Sequence, residues 1–183
     1  MLQFRIQSTP NPLARKYVLN QDLVAQGKVT YRDRSECEHV PLATSLLSLE
    51  GVTQIHLFEN VLTISQDGSW DWGDLDSQVQ ETLIQQIEGH DIRFELYQNQ
   101  SPQKKEHTSP ELIEIDAILD RTIRPGLQLD GGDLELLGFE NNFLTIRYMG
   151  ACGGCPSSMT GTLNAIRQIL ADEYDPNIEV VAL

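Results

Sequence analysis

The sequence predicts an α+β protein of two small domains, and three observations support this class. Its 183 residues are enough for two domains of ordinary size. Short segments rich in β-branched and aromatic residues alternate with segments whose apolar residues recur at helical spacing. Residues 98–109 are polar or charged apart from one proline. Because such a stretch contributes nothing to a hydrophobic core, we expect a flexible polar linker there, joining domains at 1–97 and 110–183.

The first predicted domain is built mainly from strands. Five strand-like segments precede residue 65, and they lie at 2–6, 17–19, 29–31, 52–57 and 61–64. The last two are separated by Glu59-Asn60, where we expect the tight turn of a hairpin. A short helix is expected to begin at Pro41. A longer helix is predicted by apolar residues that recur every four positions, at Leu75, Val79, Leu83 and Ile87. A strand at 92–96 is expected to close the domain.

The second predicted domain begins with a helix, since Ser109 suits the N-cap and Pro110 suits the first helical position. Its buried face is expected to carry apolar residues at helical spacing, namely Leu112, Ile115, Leu119 and Ile123. Arg124-Pro125-Gly126 is expected to end it. A hairpin about Asn141-Asn142, a further helix and a last strand at 178–181 complete the domain. These elements predict a small mixed sheet packed against helices.

The composition excludes several classes of partner. The formal net charge is −14, whereas phosphate backbones and anionic lipid surfaces require patches of Lys and Arg. No stretch approaches the roughly 18 consecutive apolar residues of a membrane-spanning helix. We therefore expect neither nucleic acid nor membrane as a partner. The opening residues 1–6 lack the apolar core of a secretory signal and are too strand-like for a transit peptide, so the expected location is cytoplasmic.

The residues best suited to chemistry lie in the segment Cys152-Gly153-Gly154-Cys155. Three cysteines in the chain are too few for a disulfide scaffold, and a close pair favours metal binding or redox chemistry. The spacing lets both sulfurs point at one centre, and the two glycines let the backbone fold tightly around it. Pro156 suits the first turn of the following helix. We therefore expect both thiols to be exposed at that helix N-terminus, where the positive end of the dipole favours thiolates.

The residues alone leave several uses of this cysteine pair open. A thiol–disulfide oxidoreductase would use the pair as an enzyme, although thioredoxin-like chains carry it early in a βαβ unit. Two inert thiols in a glycine loop would need no partner at all. A structural zinc site needs four ligands, and a [4Fe–4S] cluster also needs about four thiolates. Because one chain offers only two good ligands here, either metal centre predicts a homodimer bridged through this loop.

The second half of the chain resembles the C-terminal domain of the NifU family. The similarity runs from about residue 111 to 182 and rests on Ile123-Arg124-Pro125, Asp130-Gly131-Gly132-Asp133, Gly150-Ala151-Cys152-Gly153-Gly154-Cys155-Pro156-Ser157-Ser158 and Thr162-Leu163. The first half resembles the Nfu-type N-terminal domain through Thr9-Pro10-Asn11-Pro12, Val40-Pro41-Leu42-Ala43, Gly51-Val52 and Trp70. The resemblance therefore covers nearly the whole chain, in the domain order of Nfu proteins.

This resemblance implies an iron–sulfur cluster scaffold or carrier rather than an enzyme. It implies that Cys152 and Cys155 ligate a [4Fe–4S] cluster, which is then transferred to apo iron–sulfur proteins. An upstream cluster-assembly scaffold is the implied source of the cluster. NifU itself has a separate scaffold domain with further cysteines that is not found in this sequence, so carriage is expected rather than initial assembly.

Other polar residues are weaker candidates for function. Cys37 and His39 stand two positions apart and suggest a second metal site, but two ligands at this spacing are a weak signal. We expect a structural or surface role for Cys37. Asp130 and Asp133 flank two glycines, so we expect them to shape a turn rather than to form a catalytic pair.

Overall fold

The computed structural model describes residues 2–94, 109–153 and 156–183, and only the backbone of residues 156–159. The chain divides into two compact units, Met1–Ser101 and Pro102–Leu183. The residues of the predicted linker, apart from Ser109, lie outside the described ranges, so its bounds stay a prediction. Within the described ranges, no helix combines the length and the apolar character needed to cross a membrane.

The N-terminal unit contains a five-stranded antiparallel sheet. Its strands are β1 (Phe4–Ser8), β2 (Ala14–Leu19), β3 (Lys28–Tyr31), β4 (Val52–Phe58) and β5 (Val61–Gln66). Its helices are α1 (Pro41–Leu47) and α2 (Trp72–Gln86), with short 3₁₀ turns at Arg34–Glu36 and Ile87–Gly89. The strands lie in the order β1-β2-β5-β4-β3, so β5 occupies the centre of the sheet.

The hydrophobic core of this unit confirms the predicted helical stripe. Leu75, Val79 and Leu83 of α2 are completely buried, and Ile87 is nearly so. They pack with the inward-facing side chains of the two central strands, which are Ile55, Leu57, Leu62 and Ile64. Helix α1 contributes Leu42 and Leu46 to the same core.

A polar network joins α2 to β2 at the edge of this core. The Tyr17 hydroxyl donates to Asp76 Oδ1 at 2.6 Å, and Arg15 pairs with the other carboxylate oxygen. The Arg15 guanidinium also lies 4.7 Å from the ring centroid of Trp72, whose indole N–H donates to the Pro12 carbonyl at 2.8 Å. Apolar packing alone lets a helix slide over a sheet, whereas these directional contacts fix the register of α2.

The strand expected at 92–96 is wrong for its described part. Ile92 and Arg93 form a turn, and residues 95 and 96 lie outside the described ranges. The Asp91 carboxylate accepts a hydrogen bond from the Arg93 N–H at 2.9 Å, and the Phe94 N–H donates to the Asp91 carbonyl at 3.1 Å. An aspartate that bonds the backbone two residues ahead favours a turn over an extended strand.

The C-terminal unit contains a three-stranded mixed sheet in the order β6-β7-β8. Its elements are α3 (Pro110–Thr122), α4 (Arg124–Leu129), β6 (Gly132–Glu140), β7 (Phe143–Gly150), α5 (Pro156–Glu173) and β8 (Glu179–Ala182). Strands β6 and β7 are antiparallel, whereas β8 lies parallel to β7 after a crossover through α5. The predicted α+β class, with a mixed sheet in the C-terminal domain, is confirmed.

The start and the end of α3 agree with the sequence, but a further helix follows that was not predicted. The Ser109 Oγ accepts a hydrogen bond from the Leu112 N–H at 3.2 Å, as expected of an N-cap. Arg124-Pro125-Gly126 was expected only to end this helix, whereas α3 ends at Thr122 and Arg124 begins the separate helix α4. Proline stops one helix because it lacks an N–H, yet it fits the first turn of the next helix, where that N–H has no partner.

Both predicted hairpins turn on residues with left-handed backbone. Glu59 has a φ of 49°, and Asn141 and Asn142 have φ values of 50° and 64°. Two consecutive positive φ angles suit the two-residue turn that joins twisted antiparallel strands. In the first hairpin, Asn60 Nδ2 donates to the Leu19 carbonyl at 2.7 Å and so ties the turn to β2.

The outer edge of β8 is occupied by a side chain of α5. The Glu179 and Leu183 N–H groups donate to Asn142 and Ile146, so these residues face β7. Strand geometry then directs the Val180 carbonyl away from β7. Arg167 donates to this carbonyl from Nε at 3.1 Å and from Nη2 at 2.7 Å.

Replacing Asp76 with asparagine should destabilise the N-terminal unit by about 1–3 kcal/mol, because Arg15 and Tyr17 lose a buried charged partner. Urea unfolding followed by tryptophan fluorescence measures the loss, since both tryptophans of the chain lie in this unit. Glu81→Gln removes the same charge from an exposed position in the middle of α2 and should change stability by less than about 0.5 kcal/mol. Equal losses in the two variants would contradict the role given to Asp76.

The stability of the N-terminal unit should fall as the pH rises above about 10, the ordinary pKa of tyrosine. Burial, and then the hydrogen bond to Asp76, raise the pKa of Tyr17 above that value. The folded state therefore holds this proton more tightly than the unfolded chain, so the stabilising contribution is complete below the ordinary pKa and is lost above it. Urea midpoints measured across this range should decline less steeply in Tyr17→Phe, and identical declines would rule the assignment out.

Candidate metal centre

Cys152 lies in a tight turn between the end of β7 and the start of α5 at Pro156. Within the described residues it forms no disulfide, and it is only 6% exposed. The expectation of an exposed thiol is therefore wrong for Cys152. Cys155 lies outside the described residues, so its role as the second ligand stays a prediction.

The burial of Cys152 arises from close contact with the backbone of Gly132. A Cβ atom placed on Gly132 would lie 2.9 Å from Cys152 N and 3.0 Å from Cys152 Cβ, and it would overlap Cys152 Sγ. Gly132 is the first residue of β6 and pairs with Gly150 at the end of β7. The hairpin register thus brings two glycines together beside the thiol, and only glycine fits at position 132.

The backbone on either side of this contact is fixed by hydrogen bonds. The Ala151 N–H donates to the Gly131 carbonyl at 3.0 Å, and the Gly153 N–H donates to the Gly150 carbonyl at 3.1 Å. Gly131 and Gly150 have φ values of 79° and 60°, which L side chains rarely adopt. The turn before β6 and the turn after β7 therefore form one framework around Cys152.

Asp133 connects this framework to α4. It is completely buried, and its Oδ1 accepts the Leu134 N–H at 2.7 Å. Gln128 of α4 donates to Oδ2 at 3.0 Å. The Arg124 Nε lies 3.3 Å from Oδ1, close enough for an ion pair. The expected turn is present at Asp130 and Gly131, whereas these contacts of Asp133 reach α4 and the start of β6.

Arg124 connects Asp133 to α3. Its Nη2 donates to Asp116 at 2.6 Å, and its Nη1 pairs with Asp120. The guanidinium is only 8% exposed. Burial lowers the pKa of Arg124, but the hydrogen bonds to Asp116 and Asp120 outweigh it and hold the pKa above its ordinary value. Arg124 is therefore charged and bound by three carboxylates.

The sequence pattern does not predict these contacts of Arg124, Gln128 and Asp133. The Arg124-Pro125 and Asp130-Gly131-Gly132-Asp133 segments were singled out, but nothing in their spacing pairs Arg124 with Asp133. Gln128 carries no signal of its own, since its role depends on the unexpected helix α4. Asp130, the other carboxylate of the segment, is exposed.

The phenol of Tyr148 interacts electrostatically with Cys152. It is buried in β7, and its pKa is raised to about 12, by burial first and then by the negative charge of Cys152, with Arg167 acting in the opposite direction. Tyr148 therefore remains neutral near pH 7 and contributes no charge beside the thiol.

Cys37 does not belong to this centre. It is completely buried in the core of the N-terminal unit, and its thiol lies 3.6 Å from the Arg34 carbonyl and 3.7 Å from the Thr44 hydroxyl. Burial raises the pKa of this thiol, which disfavours the thiolate that a metal needs. Among the described residues, no group of three or more His, Cys, Asp or Glu side chains could hold a metal ion.

Comparison with known families matches both halves of the chain. Residues 115–181 match the NifU-like domain. Residues 4–90 match the N-terminal domain described as "Scaffold protein Nfu/NifU N terminal". The chain therefore belongs to the Nfu-type family, in which this N-terminal domain precedes a NifU-like domain.

Curated relatives match along nearly the whole chain. A Drosophila virilis protein named "NFU1 iron-sulfur cluster scaffold homolog, mitochondrial" is 30% identical over 177 residues, covering 96% of this chain and 59% of the relative. A Drosophila ananassae protein of the same name is 28% identical, covering 96% of this chain and 62% of the relative. The chain thus spans about 60% of the length of these relatives.

Solved structures match over smaller parts of the chain. The NMR structure of a NifU-like protein from Saccharomyces cerevisiae is 22% identical with a TM-score of 0.46, covering 51% of this chain and 85% of that one. The crystal structure of protein SAV1430 from Staphylococcus aureus is 20% identical with a TM-score of 0.38, covering 44% of this chain and 98% of that one.

The expected cytoplasmic location is contradicted by these relatives, which are named as mitochondrial proteins. The expectation was based on the lack of a recognisable leader in the opening residues. Such a lack does not identify a compartment, so the inference from residues 1–6 was wrong.

Replacing Gly132 with alanine should destabilise the C-terminal unit by about 1–3 kcal/mol, because the added methyl group overlaps Cys152 in a packed site. Thermal unfolding followed by circular dichroism measures the change. Gly138→Ala is the matched control, since it lies on the same strand and an added Cβ there meets no atom within 4 Å. If Gly132→Ala were as stable as the control, the close contact at Cys152 would not exist.

Proposed function

We propose that this protein is an iron–sulfur cluster scaffold that carries a [4Fe–4S] cluster between two chains and transfers it to apo-proteins. The observation that carries the proposal is the position of the Cys152 thiol, which lies in a glycine framework shortly before α5. The names of the curated relatives, which describe iron–sulfur cluster scaffold homologs, support the same role.

Cys152 and Cys155 are the proposed ligands of the cluster. Each chain supplies two thiolates, and a [4Fe–4S] cluster is held by about four. Two chains that face each other through this loop therefore complete the ligand set. A cluster held at an interface by few ligands from each chain leaves by ligand exchange more readily than one enclosed by a single chain. This is the property that a carrier needs.

The proposed partners follow from carriage rather than catalysis. An upstream assembly scaffold would supply the cluster, and apo iron–sulfur proteins would receive it. We assign no catalytic step to the chain. The cluster is cargo, so the residues around it have to bind, orient and release it rather than transform it.

The burial of Cys152 bears equally on this proposal and on a thiol–disulfide oxidoreductase. Exchange requires direct attack by an accessible thiolate on a disulfide, and a residue that is 6% exposed presents little surface for such attack. Ligation of a cluster shared with a second chain also requires the sulfur to be reached from outside, so the two roles are separated by the reconstitution experiment and not by burial.

Anaerobic reconstitution with iron and sulfide should load about four irons and four sulfides per two chains. Cys152→Ala and Cys155→Ala should each lose both the cluster and the dimer, because each removes half of the ligands that one chain supplies. Iron and sulfide analysis with native mass determination measures both quantities. Cys37→Ala is the matched control, since it removes a buried thiol outside the centre and should keep the cluster.

Two outcomes would replace this proposal. A monomer that loads no cluster but cycles between dithiol and disulfide would indicate an oxidoreductase. A dimer that takes up zinc in preference to iron when both are offered would indicate a structural zinc bridge. Transfer is tested separately, by incubating the loaded dimer with an apo [4Fe–4S] protein and following the appearance of the acceptor's activity.

A further inference from the structure

We infer that the buried ion pair of Arg124 and Asp133 positions Cys152 for cluster binding. Both act through the backbone of Gly132, so they are positioning residues rather than ligands. The inference rests on the proposed role of Cys152 as a cluster ligand.

The ion pair between Arg124 and Asp133 is buried, and this burial costs free energy. The Arg124 side chain is 8% exposed and the Asp133 side chain is 0% exposed. Removing two charges from water costs free energy that their mutual attraction often fails to recover, and an apolar pair of similar volume is frequently as stable. Fixing one arrangement among several is the best-attested use of such buried polar groups.

The Asp133 carboxylate is contacted from two sides, by α4 and by β6. Arg124 and Gln128 stand one turn apart on α4 and therefore lie on the same face of the helix. Arg124 approaches Oδ1 at 3.3 Å, and Gln128 donates to Oδ2 at 3.0 Å. The Leu134 N–H donates to Oδ1 from the sheet side at 2.7 Å. The carboxylate is therefore held between α4 and β6 at both of its oxygens.

The backbone of Gly132 connects Asp133 to the Cys152 thiol. Asp133 directly follows Gly132, whose α-carbon lies against Cys152. Gly131, on the other side of Gly132, accepts the Ala151 N–H at 3.0 Å. A movement of the Asp133 backbone therefore shifts the surface on which Cys152 rests. Because glycine offers no side chain that could adjust, this shift reaches the thiol directly.

The test measures how fast Cys152 reacts with a small alkylating reagent in the full apo chain, with the labelled cysteine identified by peptide mass. Asp133→Asn should raise the rate at Cys152 on the order of tenfold, because a neutral amide holds Arg124 less firmly. Gln128→Ala should raise it by a smaller factor, since it removes one neutral hydrogen bond and keeps the ion pair.

Two controls separate positioning from general destabilisation. Arg121→Gln removes a cation from an exposed ion pair between α3 and Glu173, and its rate should equal that of the wild type. Each rate is also measured at rising urea concentrations below the unfolding transition. A local loosening gives a rate that is insensitive to urea, whereas global unfolding gives a rate that rises with urea.

The inference predicts a urea-insensitive rise at Cys152 in Asp133→Asn and Gln128→Ala, with faster loss of reconstituted cluster in both. Rates equal to that of Arg121→Gln, or rates that rise with urea in parallel with unfolding, would overturn it. The labelling experiment requires no cluster. If the wild type failed to load iron and sulfide, the proposed function would fail while the positioning of Cys152 would still be decided by the labelling rates.

Discussion

The contact between the Gly132 backbone and Cys152 constrains most of the C-terminal unit. It requires glycine at one end of β6, a register that pairs this residue with Gly150, and backbone angles at Gly131 and Gly150 that other residues rarely adopt. The turn before β6 and the turn after β7 therefore cannot vary independently. Together they hold the Cys152 thiol inside the fold.

In both units, a buried carboxylate fixes the position of a helix relative to a sheet. In each, a helix packs on a sheet through apolar side chains that do not by themselves define a register. Asp76 of α2 binds two side chains of β2, and Asp133 of β6 binds two side chains of α4. Directional bonds in a low-dielectric interior fix such a register because any displacement leaves a polar group unsatisfied. In the C-terminal unit the register so fixed is that of β6, which begins at Gly132 beside Cys152.

The sequence predicts the parts of this structure that depend on local pattern. Periodicity located α2 through Leu75 and Leu83, paired asparagines located the β6–β7 turn, and Ser109 located the start of α3. Contacts between distant segments were beyond it. The burial of Cys152 depends on Gly132, which is twenty residues earlier and reaches it only through the hairpin register. The helix α4 was missed because Pro125 signals the end of one helix and the start of another equally well, and without α4 the roles of Arg124 and Gln128 have no basis.

The hydrogen bonds from Arg167 to the Val180 carbonyl affect how two chains come together. An open strand edge pairs readily with a second copy of itself and would join two sheets into one continuous sheet. Such a dimer would persist whether or not a cluster was present. Because Arg167 of α5 already binds the Val180 carbonyl, pairing of two β8 edges is disfavoured. The proposed link between two chains is then made by the cysteines and the cluster. If the cluster bridges two chains as proposed, its release would also separate them, and the oligomeric state would show whether a cluster is bound.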